Sequence, residues 1–278
     1  MSGIDRVTTM VGARLLGLNN AAQNAALEKL ATGVRINRGK DDPAGLISSE
    51  NLRAALAQLE AETKLARRAD HVASIAEGAL SEVDGMLVRA EGLAVRAANT
   101  AGMSDAEREA LQVEMDSIVQ TVDRIGRTTE FNGDRLLDGT ARISFEGETL
   151  DFPETLATAM GPAGDDQPRL SDVTSGGSAS LLSGDLATTQ AVISAARESV
   201  SVARGSIGAF QANIIQPSLQ NTMVAIENTA AAESQIRDTD YAKETANLIR
   251  AQTLGAASTS SLVAAGRSNR SVLDLLGG

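Results

Sequence analysis

Two aspartates stand side by side at Asp41-Asp42, and cations crowd the chain just before them at Lys29, Arg35, Arg38 and Lys40, with Asn37 among them. Paired carboxylates can divide acid and base work, as in glycoside hydrolysis, if they face a cleft. A second pair, Asp165-Asp166, lies in a Gly/Pro-containing stretch that reads as a solvated loop. The single histidine, His71, is the one side chain suited to proton shuttling near neutral pH. It sits inside a helical pattern, "RRADHVASIA", and reads as a helix-surface residue. There is no cysteine, which removes thiol nucleophiles, disulfides and cysteine-based metal sites. Neither GxxxxGK[ST], GxGxxG nor GxSxG occurs. The plain reading of Asp41-Asp42 is a helix start: Asp42 caps, Pro43 takes the first helical position, and both acids favour the helix dipole. The cations then read either as a solvated turn or, the reading favoured in a chain of net charge −11, as contacts with acidic patches of neighbouring subunits.

That acidity also opposes nucleic acid, which needs a basic footprint, and anionic membrane surfaces. No apolar run nears the roughly 18 residues that span a bilayer. The start of the chain lacks the apolar core and cleavage site of a secretory signal, so export is expected by another route. No metal or cofactor site is expected. Aromatic residues are scarce, with no Trp, one Tyr and four Phe. Alanine, leucine and valine fill narrow seams between helices better than they fill a thick core or a pocket.

The elements that position these residues are helices. Val11, Leu15, Leu18, Ala22 and Ala25 recur with gaps of four and three. From Pro43 a second stripe runs Leu52, Leu56, Leu59, Thr63, Ala66, Ala69, Ala73, Ala76, Leu80, Val83, Leu87, Ala90, Ala94, Ala97. A helix over about 43–99 is roughly 85 Å long at 1.5 Å per residue. Ser104 with Glu107 makes a capping box for another helix, carrying Leu111, Met115, Ile118, Val122 and Ile125. In "TEFNGDRLLDGTA" both Asn132-Gly133 and Asp138-Gly139 permit positive φ. "ARISFEGETLDF" alternates about Gly147 as a short hairpin. Helix returns near 185 with Val192, Ala196, Val200, Ala203, Ile207, Phe210 and Ile214, and Pro217 predicts a kink or brief break near 215–216. Beyond "RDTD" two neighbouring heptad columns follow: Tyr241, Leu248, Gly255, Leu262 and Ala242, Ile249, Ala256, Val263. "SVLDLLGG" ends in an apolar tip. The expected fold is mainly α: a long antiparallel helical rod, coiled-coil termini plus a multi-helix core, with a small β-hairpin segment in the middle. Its parts are expected at 1–42 with 240–278, 43–139 with 184–239, and 140–183. The terminal stripes are thin, so the ends are expected to order on association.

Three stretches, in order, carry a resemblance. "LATGVRINRGKDDPAGLISSE" resembles the signature of bacterial flagellins, "TTEFNGDRLLDG" the turn before that family's hairpin, and "AIENTAAAESQIRDTDYAKETANLIRAQTLGAASTSSLVAAGRSNRSVLDLLG" its C-terminal segment. The match covers about 27–140 and 219–277, and the first 26 residues match weakly. The resemblance implies a filament subunit, exported unfolded through the flagellar type III apparatus and polymerised through its terminal helices into an extracellular tube for motility. Export-chaperone, cap and junction proteins are the implied partners besides the chain itself. It also implies which residues matter: a joint at Leu30, Gly33, Arg35, Ile36, Asn37, Arg38, Lys40, Asp41 and Asp42; a turn at Phe131, Asn132, Gly133, Arg135, Leu136 and Leu137; and a terminal seam at Val11, Leu15, Leu18, Ala22, Tyr241, Leu248, Ile249, Ala256, Leu262 and Val263. The short middle implies a flagellin of inner and middle layers only. Within 86–101, Arg89 and Leu93 match the patch read by the animal flagellin receptor, but Gly92 and Arg96 depart from it, implying weak or no activation.

Two alternatives stand beside this. Hook–filament junction proteins share the ends of the architecture, but "EFNGDRLLDG" sides with filament flagellin, while the proline of "DDP" leans the other way. A chemoreceptor-type signalling hairpin is also Ala-rich with heptads. It needs no β segment, and the hairpin at 140–185 opposes it.

Overall fold

The computed structural model describes residues 3–99, 102–164, 166–182 and 185–276, with side chains described between 10 and 267. Asp165 and the side chains of the apolar tip lie outside these. Helix α1 spans Gly3–Thr32, α2 Pro43–Ala98, α3 Asp105–Thr128, α4 Leu186–Phe210, α5 Gln216–Arg237 and α6 Tyr241–Leu276. Two antiparallel hairpins stand between α3 and α4: β1 (Glu130–Phe131) with β2 (Asp134–Arg135), and β3 (Arg142–Phe145) with β4 (Glu148–Asp151). The mainly helical fold with a small hairpin segment is as the sequence pattern predicts. The chain divides into two compact units, Met1–Leu59 with Ala225–Gly278, and Glu60–Val224.

In the unit 60–224, the α2 stripe is buried at every predicted position from Ala66 to Ala97. It meets Leu111, Met115, Ile118 and Val122 of α3 and Val192, Ala196, Val200 and Ile207 of α4 in one core. α3 begins at the predicted capping box: the Glu107 N–H donates to Ser104 Oγ at 3.3 Å, and the Ser104 N–H to Glu107 Oε2 at 2.7 Å. The Ser104 N–H, and after it the Ser104 hydroxyl donating to Glu107 Oε2 at 2.8 Å, lower the Glu107 carboxyl pKa. Asp185 caps α4, accepting from the Thr188 N–H at 3.2 Å. The Thr188 hydroxyl, then its N–H, lower the Asp185 pKa.

Both hairpins turn on two left-handed residues, Asn132 (φ 56°) with Gly133 (φ 90°), and Glu146 (φ 53°) with Gly147 (φ 86°). Two such residues match the twist of the flanking strands. The stretch after β4 is irregular yet contributes Phe152, Met160, Leu170, Val173, Ala179 and Leu181 to the core. α3 holds it by polar side chains. Buried Gln112 donates to the Val173 carbonyl at 2.9 Å and accepts from the Leu181 N–H at 2.7 Å, and Asp116 accepts from the Ser175 N–H at 2.9 Å. A buried amide satisfied on both sides fixes a loop that lacks ladder bonds of its own.

Pro217 does not break the helix. A π turn, Gln211–Ile215, precedes it and α5 continues, with the Gln216 N–H donating to the Gln211 carbonyl. A proline ring clashes with the carbonyl four residues back, here Asn213, and the wider turn relieves that. The turn also resets the stripe. Ile215 is fully buried at 0 % exposure where the α-helical spacing points to Ile214, which is only half-buried.

Candidate functional site

The site is the joint that the two aspartates belong to. Gly33 (φ 72°) ends α1, its N–H donating to the Lys29 carbonyl at 2.9 Å. A left-handed residue there is the common helix stop. Tyr241 seals it from outside: a Cβ on Gly33 would stand 2.8 Å from the Tyr241 hydroxyl. The chain then forms an isolated antiparallel bridge, Val34 to Asp238. The Arg35 N–H donates to the Arg237 carbonyl at 2.6 Å and the Thr239 N–H to the Gly33 carbonyl at 2.9 Å. The Arg35 guanidinium donates to the Ile236 carbonyl at 2.5 Å. Beneath the bridge Ile36 is buried at 1 % exposure, and Leu30 is half-buried.

Both aspartates are used by the backbone. Asp41 Oδ2 accepts from the Asn37 and Arg38 N–H groups at 3.2 and 2.9 Å. Asp42 Oδ1 accepts from the Gly45 N–H at 2.9 Å, capping α2. Asn37 donates its side-chain amide to the Val34 carbonyl at 2.9 Å. These acids are committed to a turn and a helix cap. Among the described residues no three His, Asp or Glu gather as metal ligands would. His71 is exposed on α2.

The cations find partners inside the chain. Arg38 pairs with Glu28 at 2.8 Å, Lys29 with Glu244 at 3.7 Å, and Arg35 stands 3.9 Å from Asp42. Arg237 joins from the other side with Glu50 at 3.0 Å. Lys40 is exposed, with no ion pair among the described residues. Exposed pairs of this kind contribute little, roughly 0–1 kcal/mol each. The backbone bridge, not the charges, is the specific feature. Its C-terminal half is Ile236, Arg237, Asp238 and Thr239, with Asp240 capping α6 through the Lys243 N–H at 3.0 Å; the sequence marks a break at this stretch but not its pairing with Gly33, Val34 and Arg35. The mark is "RDTD", an acidic cap directly before a periodic run.

α1 and α6 pair through a seam that on α1 lies one residue away from the expected stripe and on α6 uses the expected column of Leu248, Gly255 and Leu262. Gly12 faces Leu262, Asn19 donates to Ser258 at 3.1 Å, and Ala26 and Ala251 are buried. Leu248, Gly255 and Leu262 are half-buried in it. Val11, Leu15 and Leu18 instead remain 51, 49 and 59 % exposed, and Tyr241, Ile249 and Val263 58, 57 and 50 %. Ala22 and Ala256 are exposed too. Small residues at 12 and 26 admit the partner backbone more closely than the larger column does, so they take the inner position.

In the turn motif, Leu136 and Leu137 enter the core, Phe131 is half-buried under the Arg68 guanidinium at 5.5 Å, and Arg135 is exposed. These hairpins and α2 border a groove of about 1070 Å³ that holds Phe131, Phe145 and Phe152, rimmed by charges of both signs. Arg89 is exposed, whereas Leu93 is 4 % exposed in the core, so the two do not share one accessible patch.

Paired terminal helices, capped joints and acids bound by the backbone define a helical structural protein. The comparisons give the family. Residues 6–142 match the bacterial flagellin N-terminal helical region and residues 190–276 the bacterial flagellin C-terminal helical region. A flagellin of Bacillus subtilis (strain 168) is 32 % identical over 94 % of this chain and 95 % of its own. A flagellin of Halalkalibacterium halodurans is 34 % identical over 95 % of each chain. The flagellar filament 31.3 kDa core protein of Treponema maltophilum is 31 % identical over 97 % of this chain and 98 % of its own. The chain belongs to the bacterial flagellin family. It is a structural subunit of the bacterial flagellar filament, a polymer of the flagellin chain itself, and not an enzyme.

Proposed function

We propose that this chain is exported unfolded through the flagellar type III apparatus and joins the filament through the outer face of its paired terminal helices. The observation that carries this is the stripe of Val11, Leu15 and Leu18 with Ile249 and Val263, about half exposed beside a seam already closed by other residues. An exposed apolar row beside a completed seam is what a further helix packs against. The joint at 33–42 and 236–240 fixes where α1 ends and where α6 starts, so the same stripe is presented by every copy. In this reading 1–42 with 240–278 is the polymerising part, 43–139 with 184–239 the helical body, and 140–183 the insert. Export-chaperone, cap and junction proteins are its partners, and the animal receptor responds weakly or not at all, since Gly92 and Arg96 depart from the recognised pattern.

Truncation tests it. Removing 1–26 or 242–278 is expected to abolish filaments in electron micrographs of seeded protein while circular dichroism retains the helices of the unit 60–224. A truncated chain that still built native filaments would overturn the mechanism.

A further inference from the structure

On α2, Asp70, Glu77, Asp84 and Glu91 stand seven residues apart, and on α4 Arg197 and Arg204 stand seven apart, followed after another seven by Gln211 at the head of the π turn. The helices run in opposite directions and these side chains meet as rungs. Gln211 donates to Asp70 at 2.9 Å, Arg204 pairs with Glu77 at 3.1 Å, and Arg197 pairs with Glu91 at 2.5 Å. The middle rung is different. Asp84 is shared, 3.5 Å from Arg197 and 4.0 Å from Arg204. Its Oδ1 and the Nε atoms of both arginines are buried with no hydrogen-bond partner.

Asp84 is half-buried and stands within ion-pair distance of both guanidiniums, yet its buried Oδ1 has a hydrogen bond from neither, so its nearest cations each bond more closely to another acid. Moving α4 toward the Glu77 end of α2 brings Arg197 onto Asp84. Moving it toward the Glu91 end brings Arg204 there. Either register satisfies Asp84 with one arginine, and the observed position lies between them. Leu80, Val83 and Leu87 of α2 pack with Val192, Val200 and Ile207 of α4 in one core, so any slide is confined to the small displacement that side-chain adjustment absorbs. On either side of Leu80, Val83 and Leu87 the α2 stripe is alanine, at Ala73, Ala76, Ala90 and Ala94, which gives shallow ridges there. The π turn at 211–215 provides a place where a displacement of α4 ends without breaking α5.

We propose that α2 and α4 form a two-register shear rail, with Asp84 as the shared rung that either Arg197 or Arg204 takes. Shifts of this kind are about 1–2 Å. This is a property of the single subunit, and it stands or falls apart from the filament mechanism above.

The full-length chain in solution provides the test, because it has no cysteine and labels attach only where one is introduced. Lys64 on α2 and Ser201 on α4 are exposed. Spin labels on K64C and S201C, separated by on the order of 30 Å along the helix axis, are measured by double electron–electron resonance. Glu91→Gln leaves Arg197 only Asp84 and is expected to shorten the distance by about 1–2 Å. Glu77→Gln leaves Arg204 only Asp84 and is expected to lengthen it by a similar amount. Asp84→Asn removes the shared charge and is expected to narrow the distribution about the parent mean. It carries the test by itself should either glutamate variant fail to fold. Equal distances in the parent and both glutamate variants, shifts of the same sign, or a broader distribution in Asp84→Asn would each overturn the proposal.

Discussion

At the scale of single residues, most of the acids with a clear role are bound by backbone N–H groups. Asp42, Asp185 and Asp240 cap helices, Asp41 closes the turn before α2, and Asp138 accepts from the Thr140 N–H at 3.0 Å. Hydrogen bonds to the charged form lower a carboxyl pKa. For Asp138 the Thr140 hydroxyl contributes most, then its N–H. The consequence for stability has a definite sign. Glu107, Asp138 and Asp185 have folded pKa values below their unfolded ones. Each therefore adds stability that is present above its unfolded value, 4.5 for Glu107 and 3.8 for the aspartates, and is lost as pH falls through the folded value. Glu107→Gln keeps a capping side chain that does not titrate. Acid titration of the unit 60–224, followed by circular dichroism, is expected to show a shallower loss of stability below pH 4.5 in this variant than in the parent. Curves of equal slope would remove Glu107 from the acid response.

At the scale of elements, the α4–α5 segment shows a conflict between period and proline. The core spacing of α4 brings Phe210 inward, and the next fully buried residue is Ile215, five positions on. In an α-helix five positions turn the side chain well away from the first face. The π turn brings it back. Two causes thus act together, the Pro217 ring and the burial of Ile215, and they separate by mutation. Pro217→Ala is expected to keep the π turn, because Phe210 and Ile215 still need one face. Amide exchange and Cα chemical shifts at 211–216 read this directly. Ile215→Ala is expected to cost about 2–5 kcal/mol in denaturant melts, as for other fully buried isoleucines. A cost under about 0.5 kcal/mol would mean that the proline alone sets the turn.

At the scale of the whole molecule, the proposed assembly gives neighbouring stripes of the same helix different tasks. Gly12, Asn19 and Ala26 face α6 within the subunit, whereas Val11, Leu15 and Leu18 face outward. Leu15→Gln and Leu18→Gln are expected to leave subunit melting within about 0.5 kcal/mol of the parent. Both are expected to suppress filament formation, scored by sedimentation and electron microscopy. Normal filaments from the double variant would place the contact elsewhere. In the proposed assembly one column of α1 closes the subunit while the next, exposed, column meets another copy.

The sequence by itself determined the helices, their caps and the hairpin turns. Periods of three and four, Ser104 with Glu107, Asp42 with Pro43, and Asn132-Gly133 are local devices, each written in a few neighbouring residues. It also supplied the flagellin resemblance, through three motifs in order. What only the tertiary structure decided was pairing. Which of two adjacent columns on α1 meets α6 depends on how closely two backbones approach, and Gly12 against Leu262 settles that in favour of the small residues. The bridge from Val34 to Asp238 joins residues about two hundred positions apart through backbone groups, which leave no mark in side-chain pattern. The same holds for the cations before Asp41-Asp42. Their types were legible, but their partners Glu28, Glu244 and the Ile236 carbonyl were not, because a charge does not specify which of many acids or carbonyls the fold brings within reach.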